Sequence, residues 1–434
     1  MDLLYARAQM GLSLAFHIVF AVIGMAMPVM MVIAEVAWLR TGRVEFFDLA
    51  RRWARGTAIL FAVGAVSGTV LSFELGLLWP SFMEFAGPII GMPFSLEGFA
   101  FFLEAIFLGL YLYGWERLRP VPHVLAGVVV SCGGALSGAF VVAANAWMNT
   151  PSGFRVVDGA VADVDPFAAM FNPAAGAQIV HMLLAAYSAV GMAVAGLHAR
   201  LLLRDRTKSF HRSAFVIALV VSVPAALLQP VSGDWAGRVV ARTQPAKLAA
   251  LEGQFTTETY APLRIGGIPD VEARETKYAL EIPGGLSFLG YGDPSARVLG
   301  FDRIPRELWP PIPLVHMAFQ VMVGLGGWLA LLALWAVSLW VRGRMFESRL
   351  FLRATSLSMA LGFVALEAGW MVTELGRQPW IVQGVMKTSE AVTPMPGLRV
   401  PFALFTLIYI GLGAVVVVLI RRTVLETAPA RVHS

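Results

Sequence analysis

Long apolar segments separated by short polar loops make up most of the chain. Nine of them are long enough to cross a bilayer as helices, at roughly 10–38, 56–79, 94–115, 122–147, 176–199, 213–231, 311–341, 354–375 and 399–420. One polar stretch, about 232–310, is much longer than the other loops and shows no clear periodicity. The pattern predicts an all-α fold, a polytopic membrane helix bundle of about nine transmembrane helices with one large loop. It divides the chain into transmembrane helices one to six at about 1–231, the large loop at 232–310, and transmembrane helices seven to nine with a short tail at 311–434.

Basic residues are concentrated in alternate loops. They follow the first, third, fifth, seventh and ninth apolar segments, as in Arg51, Arg117, Lys208, Arg344 and Arg421. With nine spans, all of these loops lie on one side of the membrane, and an excess of Lys and Arg marks the cytoplasmic side. We therefore expect the N-terminus and the large loop outside, and the C-terminus with its short tail in the cytoplasm.

Composition agrees with a membrane protein and excludes several other classes. Of 434 residues, 58% are hydrophobic and 14% charged, far from the composition of a soluble domain. The basic pI of about 9.5 comes from the loops, so it does not indicate nucleic-acid binding. The single cysteine, Cys132, lies in an apolar segment, which excludes a disulfide framework and a Cys-x-x-Cys-His haem attachment. The first apolar segment is too long for a signal peptide.

Several polar side chains lie inside the apolar segments at a similar depth, towards the outer side. They are His17, Glu97, Glu104, His181, Met322 and Glu374. Each has an ordinary explanation alone, such as a hydrogen bond between helices or core packing. Imidazole, thioether and carboxylate groups at one level are also suitable ligands for haem iron. The cytoplasmic halves of the segments carry almost no comparable residues.

The eighth segment ends in the densest group of such residues. Glu367 and Glu374 are seven positions apart, two helical turns, so both project from one helix face. A carboxylate there needs a partner such as a metal, a proton or a cation. Pairing with Arg377 at the membrane interface is one explanation. The other is a haem site, in which Arg377 would hold a propionate instead.

At these residues the chain resembles subunit I of the cytochrome bd quinol oxidases along essentially its whole length. The resemblance rests on four motifs, Glu374-Leu375-Gly376-Arg377-Gln378-Pro379-Trp380, the paired-glutamate segment from Glu97 to Glu104, Ala144-Asn145-Ala146-Trp147-Met148 and His181-Met182-Leu183. It implies a multi-pass protein of the bacterial cytoplasmic (inner) membrane. The loop is similar to the short form of that family's quinol-binding loop.

The resemblance implies three haems. His181 and Met322 would ligate the iron of a low-spin haem b, and His17 and Glu374 would each ligate the iron of one of two high-spin haems. These are a haem b and a haem d, or a third haem b, and which residue holds which haem stays open. Glu97 and Glu104 would serve the high-spin haems and their proton path. Glu367, Trp370 and Arg377 would surround the haem edges and propionates.

The resemblance also assigns a quinol site to the large loop. In Lys247-Leu248-Ala249-Ala250-Leu251-Glu252, the family's Lys and Glu act on the quinol hydroxyls. Without the resemblance, these two residues would be read as an ordinary solvated helix face. The chain departs from the family two residues before Met322, where Gln320 replaces the usual Arg. Loss of that charge could change the potential of the low-spin haem or the quinol site.

The expected activity is that of a terminal oxidase. Quinol would be oxidised at the outer face and dioxygen reduced to water, generating a proton-motive force without pumping. The family implies a second membrane subunit and in some members a small single-span subunit. Two alternatives stay open. One is a proton-coupled secondary transporter, for which paired inverted repeats are missing, and the other is a haem b paralogue that shuttles or senses electrons.

Overall fold

The computed structural model describes residues 2–158 and 160–422. Fourteen α-helices are present within these ranges. They are α1 (Asp2–Thr41), α2 (Val44–Leu78), α3 (Pro80–Tyr113), α4 (Pro120–Asn149), α5 (Pro166–Met170), α6 (Ala175–Leu202), α7 (Ser209–Thr243), α8 (Pro245–Glu252), α9 (Gly285–Tyr291), α10 (Ile312–Val341), α11 (Arg349–Leu357), α12 (Leu361–Gly376), α13 (Thr388–Ala391) and α14 (Arg399–Ile420). The predicted C-terminal tail lies largely outside the described residues.

Nine spans of the described chain are long and apolar enough to cross a membrane, which confirms the predicted bundle. The eighth is interrupted, because α11 and α12 are separated at 358–360. Trp328 from α10 donates its indole N–H to Ser358 there, at 2.8 Å. The sixth span is longer than predicted, since α7 continues to Thr243. The predicted boundary at 232 therefore falls inside a helix.

The large loop after α8 folds as nested antiparallel pairs. Its strands are β3 (Glu258–Thr259), β4 (Leu263–Ile265), β5 (Ile268–Asp270), β6 (Glu275–Lys277), β7 (Leu280–Ile282) and β8 (Arg297–Val298). β5 pairs with β6, β4 with β7, and β3 with β8. The remaining pairs are β1 (Arg155–Val157) with β2 (Ala160–Ala162), and β9 (Trp380–Val382) with β10 (Met386–Lys387). Strand pairing satisfies the loop's main-chain polar groups outside the helices.

Contacts between connections define the two ends of the bundle. At one end, which we call the loop end, Asp2 accepts hydrogen bonds from the start of α14, and Met148 accepts one from Gln383. Lys247 contacts the end of α4 there too. The basic loops meet at the opposite end, which we call the basic end, where Arg206 bonds to the main chain of Glu347. The bundle therefore keeps the polar loop and the basic loops apart.

The main core lies between α1, α4, α6 and α7 and continues to α10 and α11. Outer helices bury little of their apolar surface. In the most apolar window of α14, 11% of the residues are buried, and 22% in those of α2, α3 and α10. Such wide apolar surfaces fit contact with lipid or with another membrane protein.

Candidate haem and quinol site

One cavity of about 900 Å³ lies between α6, α7, α10 and α12 and opens towards the large loop. Among its lining residues are His181, Met322, Lys247, Glu252 and Trp370. Its volume is that of a large cofactor site. The predicted ligands of the low-spin haem and the predicted quinol residues therefore line one continuous space.

Hydrogen bonding sets the tautomer of His181. The Ser232 hydroxyl donates its proton to the carbonyl oxygen of Gln229 at 2.9 Å, so its oxygen can accept from His181 Nδ1, also at 2.9 Å. In that tautomer Nε2 carries the lone pair, and the Gln229 side-chain amide nitrogen lies 3.1 Å from Nε2 and 3.2 Å from Nδ1. An imidazole held at Nδ1 in this way presents Nε2 to a metal.

His17 shows the same arrangement on the other side of the bundle. Ser67 on α2 donates its proton to the main-chain oxygen of Val63 at 2.9 Å and accepts from His17 Nδ1 at 3.0 Å. Gly68 lies against the ring, where a Cβ would stand 2.9 Å from His17 Cε1. Both histidines predicted as haem ligands thus have Nδ1 held by a serine, while Nε2 of His181 also faces the Gln229 side-chain amide.

Two other buried histidines differ from this pattern. Both nitrogens of His316 face main-chain oxygens, those of Leu251 at 2.7 Å and Gly266 at 3.1 Å. His123 faces Glu35 and the main-chain oxygen of Tyr111. Since neither ring has a free nitrogen, neither is suited to bind iron. His316 instead ties the loop to α10.

Gly369 on α12 lies next to the Met322 sulfur and leaves it accessible from the cavity. A Cβ at position 369 would stand 3.1 Å from Met322 Sδ, closer than a thioether normally tolerates. Both residues line the cavity, together with His181. The sulfur and the imidazole therefore share the space into which a planar cofactor would fit.

Glu374 pairs with Arg377, as the interface alternative predicted. Arg377 Nη2 donates to Glu374 Oε2 at 2.6 Å, and the Asn145 side chain donates to Glu374 Oε1. Arg377 Nη2 is therefore paired with Glu374 in this structure, and its role towards a propionate stays a prediction. Its Nε and Nη1 are buried without a partner among the described residues. Glu367 on α12 likewise has a buried side-chain oxygen, Oε1, without a hydrogen-bond partner among the described residues.

The glutamates of α3 lie between α1 and α4. Ser137 donates to Glu97 Oε1 at 3.1 Å. Glu104 is buried, and its Oε1 lies beside Gly24 and Gly134, where added Cβ atoms would stand 3.5 and 3.3 Å away. This oxygen has no hydrogen-bond partner in the described part of the chain. The two glycines thus let the Glu104 carboxyl lie close to the main chains of α1 and α4.

Lys247 and Glu252 are both buried, so the solvated helix face is wrong as an explanation. Lys247 Nζ donates to Asn149 Oδ1. Burial, together with the nearby Arg377 guanidinium, lowers the pKa of Lys247 to about 7, while the Glu374 carboxylate opposes that shift. Burial also raises the pKa of Glu252 to about 7, although the main-chain N–H and the charge of Arg264 lower it. Both groups can therefore exchange protons near neutral pH.

Gln320 anchors the loop to α10. Its Oε1 accepts from the main-chain N–H of Gly266 at 2.9 Å, and its Nε2 donates to the main-chain oxygen of Arg264 at 3.0 Å. An arginine could donate here but could not accept. The positive charge that lines the cavity next to Glu252 comes from the loop instead, from Arg264.

Comparisons with known proteins agree on one family. The family model described as cytochrome bd terminal oxidase subunit I matches residues 5–428. The chain is 36% identical over 423 residues to a cytochrome bd subunit I of Bacillus subtilis, covering 96% of this chain and 95% of that protein. It is 31% identical to that organism's cytochrome bd ubiquinol oxidase subunit 1, covering 98% and 94%. The solved structure of bd oxidase from Geobacillus thermodenitrificans matches with a TM-score of 0.91 and 37% identity, covering 98% and 99%.

The chain belongs to the cytochrome bd oxidase subunit I family. The predicted family, fold and terminal-oxidase class are thereby confirmed. Membership of the family leaves the transporter alternative without support. The roles of individual residues stay predictions, which the contacts described above support to different degrees.

Several residues of this bd-family site were missed in the sequence. Ser67, Ser232 and Gln229 orient the two histidines, and Asn145 and Asn149 link Glu374 to Lys247. Asn145 lies in one of the motifs that carry the resemblance, but serine and amide side chains are common in membrane helices, so no local signal distinguishes the others. The basic end was also predicted to be nearly free of buried polar groups. That was wrong, because Glu35 and His123 are buried there.

Proposed function

We propose that this chain is the haem-carrying subunit of a membrane quinol oxidase that oxidises quinol at the outer face and reduces dioxygen to water without pumping protons. The observation that carries the proposal is the shared cavity of His181, Met322, Lys247 and Glu252. The cavity brings two predicted iron ligands into the same space as two groups whose pKa values of about 7 suit proton exchange at neutral pH. The names of relatives as quinol oxidases support it.

The residues fit haem. Nδ1 of both His17 and His181 is held by a serine, so Nε2 would ligate iron in each; at His181 the Gln229 side-chain amide, 3.1 Å from Nε2, would have to turn aside. Met322 Sδ would be the second ligand of the low-spin haem b iron, and Glu374 and His17 would each hold one of the two high-spin haems, a haem b and a haem d or third haem b. Arg377 Nε and Nη1, which have no hydrogen-bond partner among the described residues, would donate to a propionate. When bound, haem iron passes single electrons and, with an open position, binds oxygen.

The quinol side uses the loop residues. Quinol loses two electrons and two protons to become quinone. Glu252 accepts the two protons one after the other and releases each at the outer face, and Lys247 donates a hydrogen bond to the quinone oxygen. With its pKa raised to about 7, Glu252 is a base at neutral pH that can be reprotonated. Gln320 and His316 hold this loop against α10.

The oxygen side consumes protons. Reduction of one dioxygen to two waters takes four electrons and four protons, so two quinols are oxidised for each dioxygen. Glu97 and Glu104 hold protons on the path to the high-spin haems. Protons leave at the outer face and are taken up from the cytoplasm, which separates charge without a pump. The positive loops define the cytoplasmic side.

The chain works with partners in the bacterial cytoplasmic membrane. A second membrane subunit, and in some assemblies a small single-span subunit, covers part of its exposed apolar surface. The sparse burial of α14, α2 and α3 supports such contacts. Membrane quinol and dioxygen are the substrates, and nucleic acid is no partner.

Reduced-minus-oxidised spectra of the purified complex, with oxygen consumption driven by quinol, test the proposal. We expect low-spin and high-spin haem signals and quinol-dependent oxygen uptake. His181→Ala should remove the low-spin signal alone. His198→Ala is the matched control, because His198 is a buried histidine that pairs with His211 near the basic end. A complex without haem would overturn the proposal, and a low-spin signal that persists in His181→Ala would overturn the ligand assignment.

A further inference from the structure

A buried polar cluster lies at the basic end, away from the haem and quinol residues. Glu35 lies near the end of α1, His123 in the first turn of α4 and Tyr111 in the last turn of α3. Their relative exposures are 1%, 3% and 0%. Trp115 covers the His123 ring with the ring centroids 4.2 Å apart. Burying three titratable groups together is costly unless they are paired.

The geometry of His123 requires a shared proton. Its Nε2 lies 2.9 Å from the main-chain oxygen of Tyr111, which can only accept, so Nε2 carries a hydrogen. Its Nδ1 lies 2.6 Å from Glu35 Oε1. Two acceptors cannot approach so closely without a proton between them, so the pair holds one proton, on the carboxyl or on the imidazole. A proton held between two bases can be passed on and replaced.

Three buried oxygens extend from this pair towards the middle of the bundle. Glu35 Oε2, Tyr111 Oη and Glu104 Oε1 have no hydrogen-bond partner within the described ranges. The Tyr111 hydroxyl lies beside the Glu35 carboxyl, outside normal hydrogen-bond geometry. Unpartnered buried oxygens of this kind are the usual sites of internal water.

The spacing on α3 places these groups on one line. Glu97, Glu104 and Tyr111 follow one another at seven-residue steps, so they share a helix face, with about 10 Å of helix axis per step. On α4 the facing positions are Ser137 at Glu97, Gly133 and Gly134 at Glu104, and Gly127 at Tyr111. The seam between α1, α3 and α4 therefore carries exchangeable groups from the basic end to Glu97.

We propose that Glu35, His123 and Tyr111 form the entry of a proton path that leads along α3 to Glu104 and Glu97. The inference rests on the proposed function, which requires protons from the side of the basic loops. Each proton that leaves the Glu35–His123 pair towards Tyr111 and Glu104 is replaced by one from that aqueous side. Internal water joins the pair, the phenol and Glu104, so no other reactant is needed.

The test uses the complete oxidase reconstituted in liposomes. Glu35→Gln keeps a hydrogen bond to His123 Nδ1 but cannot release a proton, and Tyr111→Phe removes only the hydroxyl. We expect Glu35→Gln to lower turnover at saturating quinol about tenfold or more and to slow proton uptake from the basic-loop side by the same factor. Haem spectra and the KM for quinol should stay unchanged. Tyr111→Phe should show a smaller loss, and Glu35→Asp should restore part of the rate.

Thr57→Val is the matched control, since Thr57 is a buried side chain of α2, outside the three helices of the seam, and donates to Met31 Sδ of α1. The proposal is overturned if Glu35→Gln or Tyr111→Phe keeps full haem content and wild-type proton uptake. It is also overturned if thermal stability falls while turnover per haem is unchanged, as a purely structural pair would give. If the oxidase with Glu35→Gln fails to assemble, turnover and proton uptake in the Tyr111→Phe and Glu35→Asp variants test the proposal instead. An inactive wild-type complex would instead contradict the proposed function.

Discussion

Gly376 lies directly against the side chain of Lys247. A Cβ at position 376 would stand 2.9 Å from Lys247 Cγ and 3.0 Å from its Cε. Gly376, the first residue of the Gly-Arg-Gln-Pro-Trp segment at 376–380, therefore leaves the space through which the Lys247 side chain reaches Asn149. A segment near the predicted haem ligand Glu374 thus also positions a residue of the quinol site.

Gly376→Ala should displace Lys247 and raise the KM for quinol about tenfold while haem spectra persist. Overpacking of this kind costs about 1–3 kcal/mol, and Lys247 is the neighbour that can move. The measurement is steady-state oxygen uptake against quinol concentration. Gly411→Ala is the control, because a Cβ there meets nothing within 4 Å. An unchanged KM in Gly376→Ala would show that the position of Lys247 does not matter for quinol.

Ser232→Ala should raise the midpoint potential of the low-spin haem by an amount on the order of tens of millivolts. Without its acceptor at Nδ1, His181 becomes a weaker donor and stabilises ferric iron less. A redox titration of the low-spin signal measures this shift. Ser222→Ala is the matched control on α7, since the Ser222 hydroxyl is buried without a partner among the described residues. Equal potentials in the two variants would argue against His181 as the ligand.

Arg264→Leu should move the pH dependence of quinol oxidation upwards by about one unit. The pKa of Glu252 is already raised to about 7, and Arg264 lowers it. Removing the cation raises it further, so the carboxylate that accepts the quinol proton forms only at higher pH. Initial rates between pH 5.5 and 9, chosen as roughly the range that brackets this pKa, give the profile. Arg297→Leu, an exposed position of the same loop, should leave the profile unmoved.

Gln320→Leu should loosen the loop, since two hydrogen bonds to its main chain are lost and Gly266 and Arg264 keep unpaired groups. Each buried unpaired group costs about 1–3 kcal/mol. Hydrogen exchange at 264–267 should speed up, and the KM for quinol should rise. Gln320→Arg should have a similar effect on the exchange of Gly266, because an arginine has no acceptor for that N–H. If exchange is the same in both variants and in the wild type, Gln320 does not anchor the loop.

The spans could be predicted from sequence because the bilayer imposes a simple local requirement. A helix that crosses it needs about 20 apolar residues, and a stretch such as Arg399–Ile420 satisfies this whatever its neighbours are. The orientation followed from the basic loops by the same kind of reasoning and stays a prediction. The break between α11 and α12 was missed because Ser358 is stabilised there by Trp328 of another helix.

The candidate ligands were visible in the sequence because a charged or imidazole side chain is rare in an apolar segment. His17, His181 and Glu374 stand out for this reason, and the family resemblance supplied their roles. What only the tertiary structure decided is which partners hold the ring nitrogens of each buried histidine. Ser67 and Ser232 hold the rings of His17 and His181 at Nδ1. In His316 and His123, both ring nitrogens contact oxygen atoms of other helices or of the loop. Those partners come from other helices and loops, and no local pattern encodes contacts between residues so distant in sequence.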